Sequence, residues 1–289
     1  MTGPTVPCRA GELGRYLEIQ NLGLNLPFAV GFLLVAAGGL PSWRSTLLVA
    51  VAFVAARNAG HSFNRWADRG YDARNPRTRS RALVTGRYPP SFALAFAAAN
   101  SALLLLAAAL LNPLALLLAP IALALVLGYS YTKRVTSWTT PFLGVVEAIV
   151  PAAVFIAIRG ELPATVLLAV VGLLLWGTAF ETIHSVEDLT SDAALGLKSL
   201  PLRLGRDASL RLLPALHAAS VALLALFGLF IGLGWPYDAG LGAMGAIAIA
   251  TDGQLRTGSV VGRSAFRRHF LMSTLFLVGV AAALLLPIG

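Results

Sequence analysis

The chain alternates long apolar runs with short polar stretches. Runs of about 20 mostly apolar residues, the length a helix needs to cross a bilayer, fall at 20–40, 45–68, 91–111, 113–131, 138–158, 163–186, 210–232, 237–251 and 269–287. The pattern predicts nine membrane helices, the eighth short and glycine-rich. Only Asn112 and Pro113 join the third and fourth runs, which makes them a tight helical hairpin. Strand-like alternation between regular turns is absent, which argues against a membrane barrel. The expected fold class is all-α: an integral membrane bundle of about nine transmembrane helices, with residues 1–289 in one domain. Residues 1–16 are polar, and no small-residue cleavage site follows a short apolar core, so the first run reads as an uncleaved span and not a signal peptide.

Composition agrees with this reading. The chain is 57% hydrophobic and 12% charged, with a mean hydropathy of +0.77, whereas soluble domains carry about 25% charged and 45–50% apolar residues. A soluble globule and a disordered chain are both excluded. A lone cysteine, Cys8, rules out a disulfide within the chain and a Cys-based zinc site. The net charge of +9 comes from 22 basic and 13 acidic residues. On a soluble protein it would suggest nucleic acid; here the charges sit between apolar runs, so the expected partner is the lipid bilayer, with no nucleic acid.

Sorting the loops by parity places 19 of the 22 basic residues on one side, together with the N-terminus. Arg44 and Arg159 lie on the other side, and Arg57 lies inside the second run. This is the positive-inside pattern. It predicts a multi-pass protein of the cytoplasmic (inner) membrane, with its N-terminus and polar loops in the cytoplasm.

Two run ends carry the chemistry. An ionisable residue within a span costs on the order of 3 kcal/mol, so such residues mark function. At 100° per residue, Arg57, His61, Asn64 and Asp68 lie within about 60° of one another, with Asp72 at the same edge if the helix persists. In the sixth run, Glu181, Asp188 and Asp192 share a face. Both clusters open on the cytoplasmic side, so two carboxylate pairs can face each other across a bundle. Asp pairs one turn apart supply the hard oxygen ligands of Mg²⁺, which completes its shell with water and phosphate oxygens. Bridging cations would let such a site hold a diphosphate, with Arg57, Lys133 and the Arg77–Arg81 stretch as phosphate donors. The bland alternative is a set of interfacial salt bridges. A transporter is the competing class, but its ionisable groups would favour mid-membrane positions and broken helices.

The same residues carry a family resemblance. The stretch NRWADRGYDARNPRTRSRALVTG resembles the first aspartate-rich motif of the UbiA family of intramembrane aromatic prenyltransferases. Asn64, Asp68, Asp72, Arg77, Thr78, Arg81 and Gly86 match it position by position. ETIHSVEDLTSDAALGLKSLPLRLG resembles the second motif at Asp188, Asp192, Gly196, Lys198 and Ser199, and YSYTK matches the intervening motif at Tyr129 and Lys133. The resemblance spans about residues 15–287. Two departures stand out: Arg65 occupies a position where many members have Asp, and Glu181, His184 and Ser191 replace Asp, Tyr and Asp of the ubiquinone-type wording. The first motif reads closest to prenyltransferases of futalosine-route menaquinone synthesis and to 4-hydroxybenzoate-type sequences.

The resemblance implies Mg²⁺-dependent transfer of a polyprenyl group from a polyprenyl diphosphate to a small aromatic acceptor in menaquinone or ubiquinone synthesis. Another acceptor, of the haem O, chlorophyll or lipid type, is the alternative. It implies Asp68, Asp72, Asp188 and Asp192 as catalytic metal ligands with Asn64. Arg57, Asn64, Arg77, Lys133 and Lys198 would bind the diphosphate, and Tyr129, Glu181 and His184 would orient the site or meet the acceptor. Glu147, inside the fifth run, is either a structural partner of Lys133 or Arg134 or a group near the acceptor. No obligate protein partner is evident.

Overall fold

The computed structural model describes residues 13–14, 16–18, 25–259 and 262–286, except for the side chains of residues 262, 263 and 266. Cys8, Arg9 and Arg15 lie outside these residues. Helix is the sole regular structure among the described residues. The long helices are α1 (Leu26–Ala37), α2 (Trp43–Ala67), α3 (Pro90–Leu111), α4 (Pro113–Val135), α5 (Thr139–Arg159), α6 (Val166–Glu187), α7 (Arg206–Ile231), α8 (Trp235–Thr257) and α9 (Gly262–Leu285). Seven helical segments, α2 to α7 and Arg267–Leu285 of α9, are long and apolar enough to cross a membrane, which makes this a multi-pass membrane protein. The predicted first span corresponds to the 12 residues of α1. The predicted eighth span is longer than its apolar run, because α8 continues through Asp252 to Thr257.

Local chemistry sets the helix ends. The Ser42 hydroxyl caps α2 by accepting from the Ser45 amide at 3.1 Å. In the α3–α4 hairpin, Asn112 accepts from the Ala115 amide at 2.8 Å, while its own amide donates to the Ile156 carbonyl at 2.7 Å. One side chain therefore starts α4 and ties the hairpin to the far end of α5. The two arginines opposite the basic side serve helix C-termini, where carbonyls lack partners: Arg159 donates to the Ala36 carbonyl and Arg44 to that of Leu110.

Helix α1 packs between α5 and α9, and α5 and α6 form an extensive pair. Phe28, Phe32, Trp176, Phe227 and Phe276 fill the centre from α1, α6, α7 and α9, with ring centroids 5.0–5.9 Å apart in the contacting pairs. A buried polar clamp joins α7 to α8, where His217 Nδ1 lies 2.8 Å from Asp252 Oδ2.

Helix pairs in lipid gain from small residues that let backbones approach. A Cβ built on Gly240 of α8 would stand 2.7 Å from the Leu275 carbonyl oxygen and 2.9 Å from Gly279 Cα on α9. Gly240→Ala should therefore cost about 1–3 kcal/mol, read as a lower thermal unfolding midpoint in detergent. An unchanged midpoint would mean that α8 and α9 separate freely at this contact.

Candidate active site

Both aspartate motifs sit at the same kind of helix break. Helix α2 ends at Asp68, with ψ at 1°, and α6 ends at Asp188, with ψ at 2°. Each chain then continues into a short helical turn, Arg69–Asp72 and Leu189–Ala194. The amides of Asp72 and Asp192 donate to the carbonyls of Asp68 and Asp188, each at 2.8 Å. The i, i+4 bond survives the break, so both pairs keep a common face while the chain turns out of the bundle.

The two pairs line one cavity of about 220 Å³. Asn64, Arg77, Tyr129, Lys133, Glu181, His184 and Lys198 share its walls, so most residues singled out in the sequence converge there. Asp68 is met by Lys133 Nζ at 2.7 Å and by the Arg134 guanidinium at 3.1 Å, and it accepts from the Asn64 amide at 3.1 Å. Arg81 donates to Asp72 at 2.6 Å. Arg77, carried by the loop after the first motif, grips Asp188 of the second through Nε at 3.0 Å and Nη2 at 2.6 Å. Tyr129 donates to Glu181 at 2.8 Å. The Lys198 amide donates to the Lys133 carbonyl at 2.7 Å, fastening the second motif's loop to the end of α4. His184 packs edge-on to Phe180.

Burial works against the charged form of the second carboxylate in each motif. Burial pushes the Asp72 carboxyl up to about 6. Burial, followed by the neighbouring Asp188 charge, does the same for Asp192, also to about 6. Although burial works against its charge, the bond to Asp188 holds the Arg77 guanidinium above its ordinary value. Asp192 makes no ion pair among the described residues. No three acidic or histidine side chains among those residues form a ready cage for one cation. Two carboxylates per motif nevertheless fit Mg²⁺, which takes one or two carboxylates and fills its shell with phosphate oxygens and water.

Arg57, and one of the two readings of Glu147, depart from expectation. Arg57 does not line the cavity; its guanidinium donates to the carbonyls of Leu17 at 2.9 Å and Glu18 at 3.0 Å. His61 Nε2 lies 3.0 Å from the Tyr16 carbonyl and 3.2 Å from Arg65 Nε, so it serves local structure. Glu147 pairs with neither Lys133 nor Arg134, but accepts from the Asn25 amide at 2.8 Å. Arg134 is a neighbour of Asp68 that the motifs did not single out. Its guanidinium lies 5.2 Å from the Tyr71 ring centroid and 4.7 Å from that of Tyr131, and it donates to the Ala67 carbonyl. The signal was an arginine three residues after Tyr131 at the helix end. Beside the site, Arg65 pairs with Glu18, and with Arg81, Arg87, Tyr16 and Tyr88 it borders a second cavity of about 330 Å³.

The family model described as the UbiA prenyltransferase family matches residues 24–274. A 4-hydroxybenzoate octaprenyltransferase of Thiobacillus denitrificans is 34% identical over 215 residues, covering 74% of this chain and 73% of its own length. One from Cupriavidus necator is 34% identical over 218 residues, covering 74% of this chain and 75% of its own. Among solved structures, the apo form of a UbiA homolog from Aeropyrum pernix superposes with a TM-score of 0.82 at 32% identity, over 91% of this chain and 97% of that one. A UbiA homolog from Archaeoglobus fulgidus, bound to GPP and Mg²⁺, shares the fold at a TM-score of 0.72 and 21% identity, over 95% of this chain and 100% of that one.

Proposed function

The chain belongs to the UbiA prenyltransferase family, and from that premise we propose that it transfers a polyprenyl group from its diphosphate to 4-hydroxybenzoate or a closely related aromatic acid in quinone synthesis. The observation that carries this reading is the pair of Asp breaks facing each other across one cavity, with Lys133, Arg77 and Arg81 set among them. The similarity to 4-hydroxybenzoate octaprenyltransferases favours a hydroxybenzoate acceptor and a long prenyl chain. The excess of basic residues on the cavity side supports a cytoplasmic site in the inner membrane.

Asp68 and Asp72 with Asn64, and Asp188 with Asp192, would hold Mg²⁺, which supplies charge neutralisation of the diphosphate and makes it a better leaving group. Lys133, Arg77 and Arg81 already stand over the carboxylates, so they are in place to bind phosphate oxygens there. The hydrogen bond from the Lys198 backbone amide to the Lys133 carbonyl anchors the backbone that carries that lysine. Tyr129 orients Glu181 on the cavity wall through its hydrogen bond. The cavity sits at the end of an apolar bundle, which keeps water from an allylic cation while the aromatic carbon attacks.

The test is product mass spectrometry on purified protein with Mg²⁺, offering mixed polyprenyl diphosphates against 4-hydroxybenzoate and 1,4-dihydroxy-6-naphthoate. A prenylated hydroxybenzoate is the expected product. A prenylated naphthoate alone would move the protein to menaquinone synthesis, and an unconsumed diphosphate would sink the enzyme reading. In the same assay, a chelator should stop turnover and added Mg²⁺ should restore it; turnover indifferent to chelation would refute the metal assignment.

A further inference from the structure

The reaction releases a proton from the ring, and the residues around the diphosphate leave no obvious taker. Asp68, Asp72 and Asp188 are engaged by cations, Asp192 belongs to the metal set, and Glu181 is bound by Tyr129. One further carboxylate, Glu147, lies inside the bundle against Asn25 and Gly177. Glu147 lies on α5, eight residues after Thr139, which lines the cavity, and so about 12 Å deeper along the helix. Side chains tilt toward a helix N-terminus, and the N-terminus of α5 is its cavity end, so the Glu147 carboxyl leans back toward the site.

Its neighbours fix its position. Glu147 lies against Gly177 of α6, where a Cβ would fall 2.7 Å from Glu147 Cγ. Gly177 is one turn before Glu181 on the same face of α6, so Glu147 sits directly below the cavity wall. Its sole hydrogen-bond partner among the described residues is the neutral Asn25 amide, at 2.8 Å from the start of α1. Although surrounded by α1, α5 and α6, Glu147 keeps accessible surface. A residue larger than glycine at 177 would push the carboxyl away, so the glycine keeps this place open.

We propose that Glu147, positioned by Asn25, is the acceptor-side carboxylate that takes the ring proton. This rests on the transfer reaction proposed above. The C–O bond of the prenyl diphosphate breaks with its electron pair leaving on the diphosphate. The ring carbon then bonds to the allylic carbon, and the C–H bond at that ring carbon breaks to restore aromaticity. The proton passes to the Glu147 carboxylate, which later releases it to water with the product.

The test compares wild type, Glu147→Gln and Glu147→Asp, using whichever acceptor the wild type prenylates, with and without deuterium at the prenylated ring carbon. Glu147→Gln should lower turnover by about 100-fold or more and reveal a primary isotope effect, with Mg²⁺-dependent prenyl diphosphate binding unchanged. Glu147→Asp should recover part of the turnover. Wild-type turnover in Glu147→Gln would overturn the proposal, and so would equal losses in both variants without an isotope effect. If Glu147→Gln does not fold, Asn25→Ala decides: reduced turnover with an isotope effect supports the assignment, and unchanged turnover overturns it. If the wild type transfers no prenyl group at all, it is the reading of the reaction that fails, an outcome distinct from these.

Discussion

Asp188→Asn should lower prenyl transfer by about 10³-fold while leaving the fold intact. The substitution is isosteric and removes one negative charge from the second motif. The ion pair it breaks contributes little stability, because the Asp188 and Arg77 side chains are 22% and 60% exposed, and pairs in such surroundings contribute about 0–1 kcal/mol. Asp68 behaves differently. Its side chain is 2% exposed and faces both Lys133 and Arg134, so removing its charge strands two cations and costs about 3–5 kcal/mol. Asp68→Ala should thus lose activity and stability together, whereas Asp188→Asn separates the two. The check is single-turnover product formation alongside the thermal midpoint of the same preparation. Near-wild-type turnover in Asp188→Asn would remove the second motif from the chemistry.

The contrast between these two aspartates was not legible in the sequence, where both read simply as the first Asp of a D-x-x-x-D. Their common face was legible, because i, i+4 spacing survives the helix break through the amide bonds to Asp68 and Asp188. Burial was not, since it depends on the neighbours that the end of α4 brings to Asp68. Arg57 shows a second limit. A helical wheel gives angle and ignores depth: Arg57 shares a face with Asp68 yet lies eleven residues away, about 16 Å along the axis. It is too deep for a phosphate at the helix end, and its guanidinium finds backbone carbonyls near the N-terminus instead. Of the two readings of Glu147, the pairing with Lys133 or Arg134 fails for the same reason. Lys133 and Arg134 sit at the cavity end of α4, while Glu147 lies two turns down α5, where Asn25 reaches it across 122 residues of sequence. No local pattern announces such a pair. The grip of Arg77 on Asp188 likewise needed both loops folded over one cavity.

Lys133 and Arg134 supply the second large effect, because adjacent residues with a common partner should fail in different ways. Both reach Asp68, since a carboxylate at a helix end offers one oxygen to each: Oδ2 to Lys133 and Oδ1 to Arg134. Lys133 lines the cavity, and Arg134 does not. Lys133 is a compact charge on a flexible stem, able to move between Asp68 and a phosphate oxygen. Arg134 is held by the Ala67 carbonyl and two tyrosine rings, contacts that fasten the end of α4 to the end of α2. Lys133→Gln should therefore lower kcat/KM by about 100-fold with a modest change in thermal midpoint. Arg134→Gln should leave kcat nearly unchanged and lower stability by about 1–3 kcal/mol, the worth of a hydrogen bond to a charged group. Parallel kinetics and thermal unfolding on the two variants would decide. If Arg134→Gln lost turnover as deeply as Lys133→Gln at full stability, its guanidinium would have to act on substrate, and its separation from the cavity would have to close during the reaction.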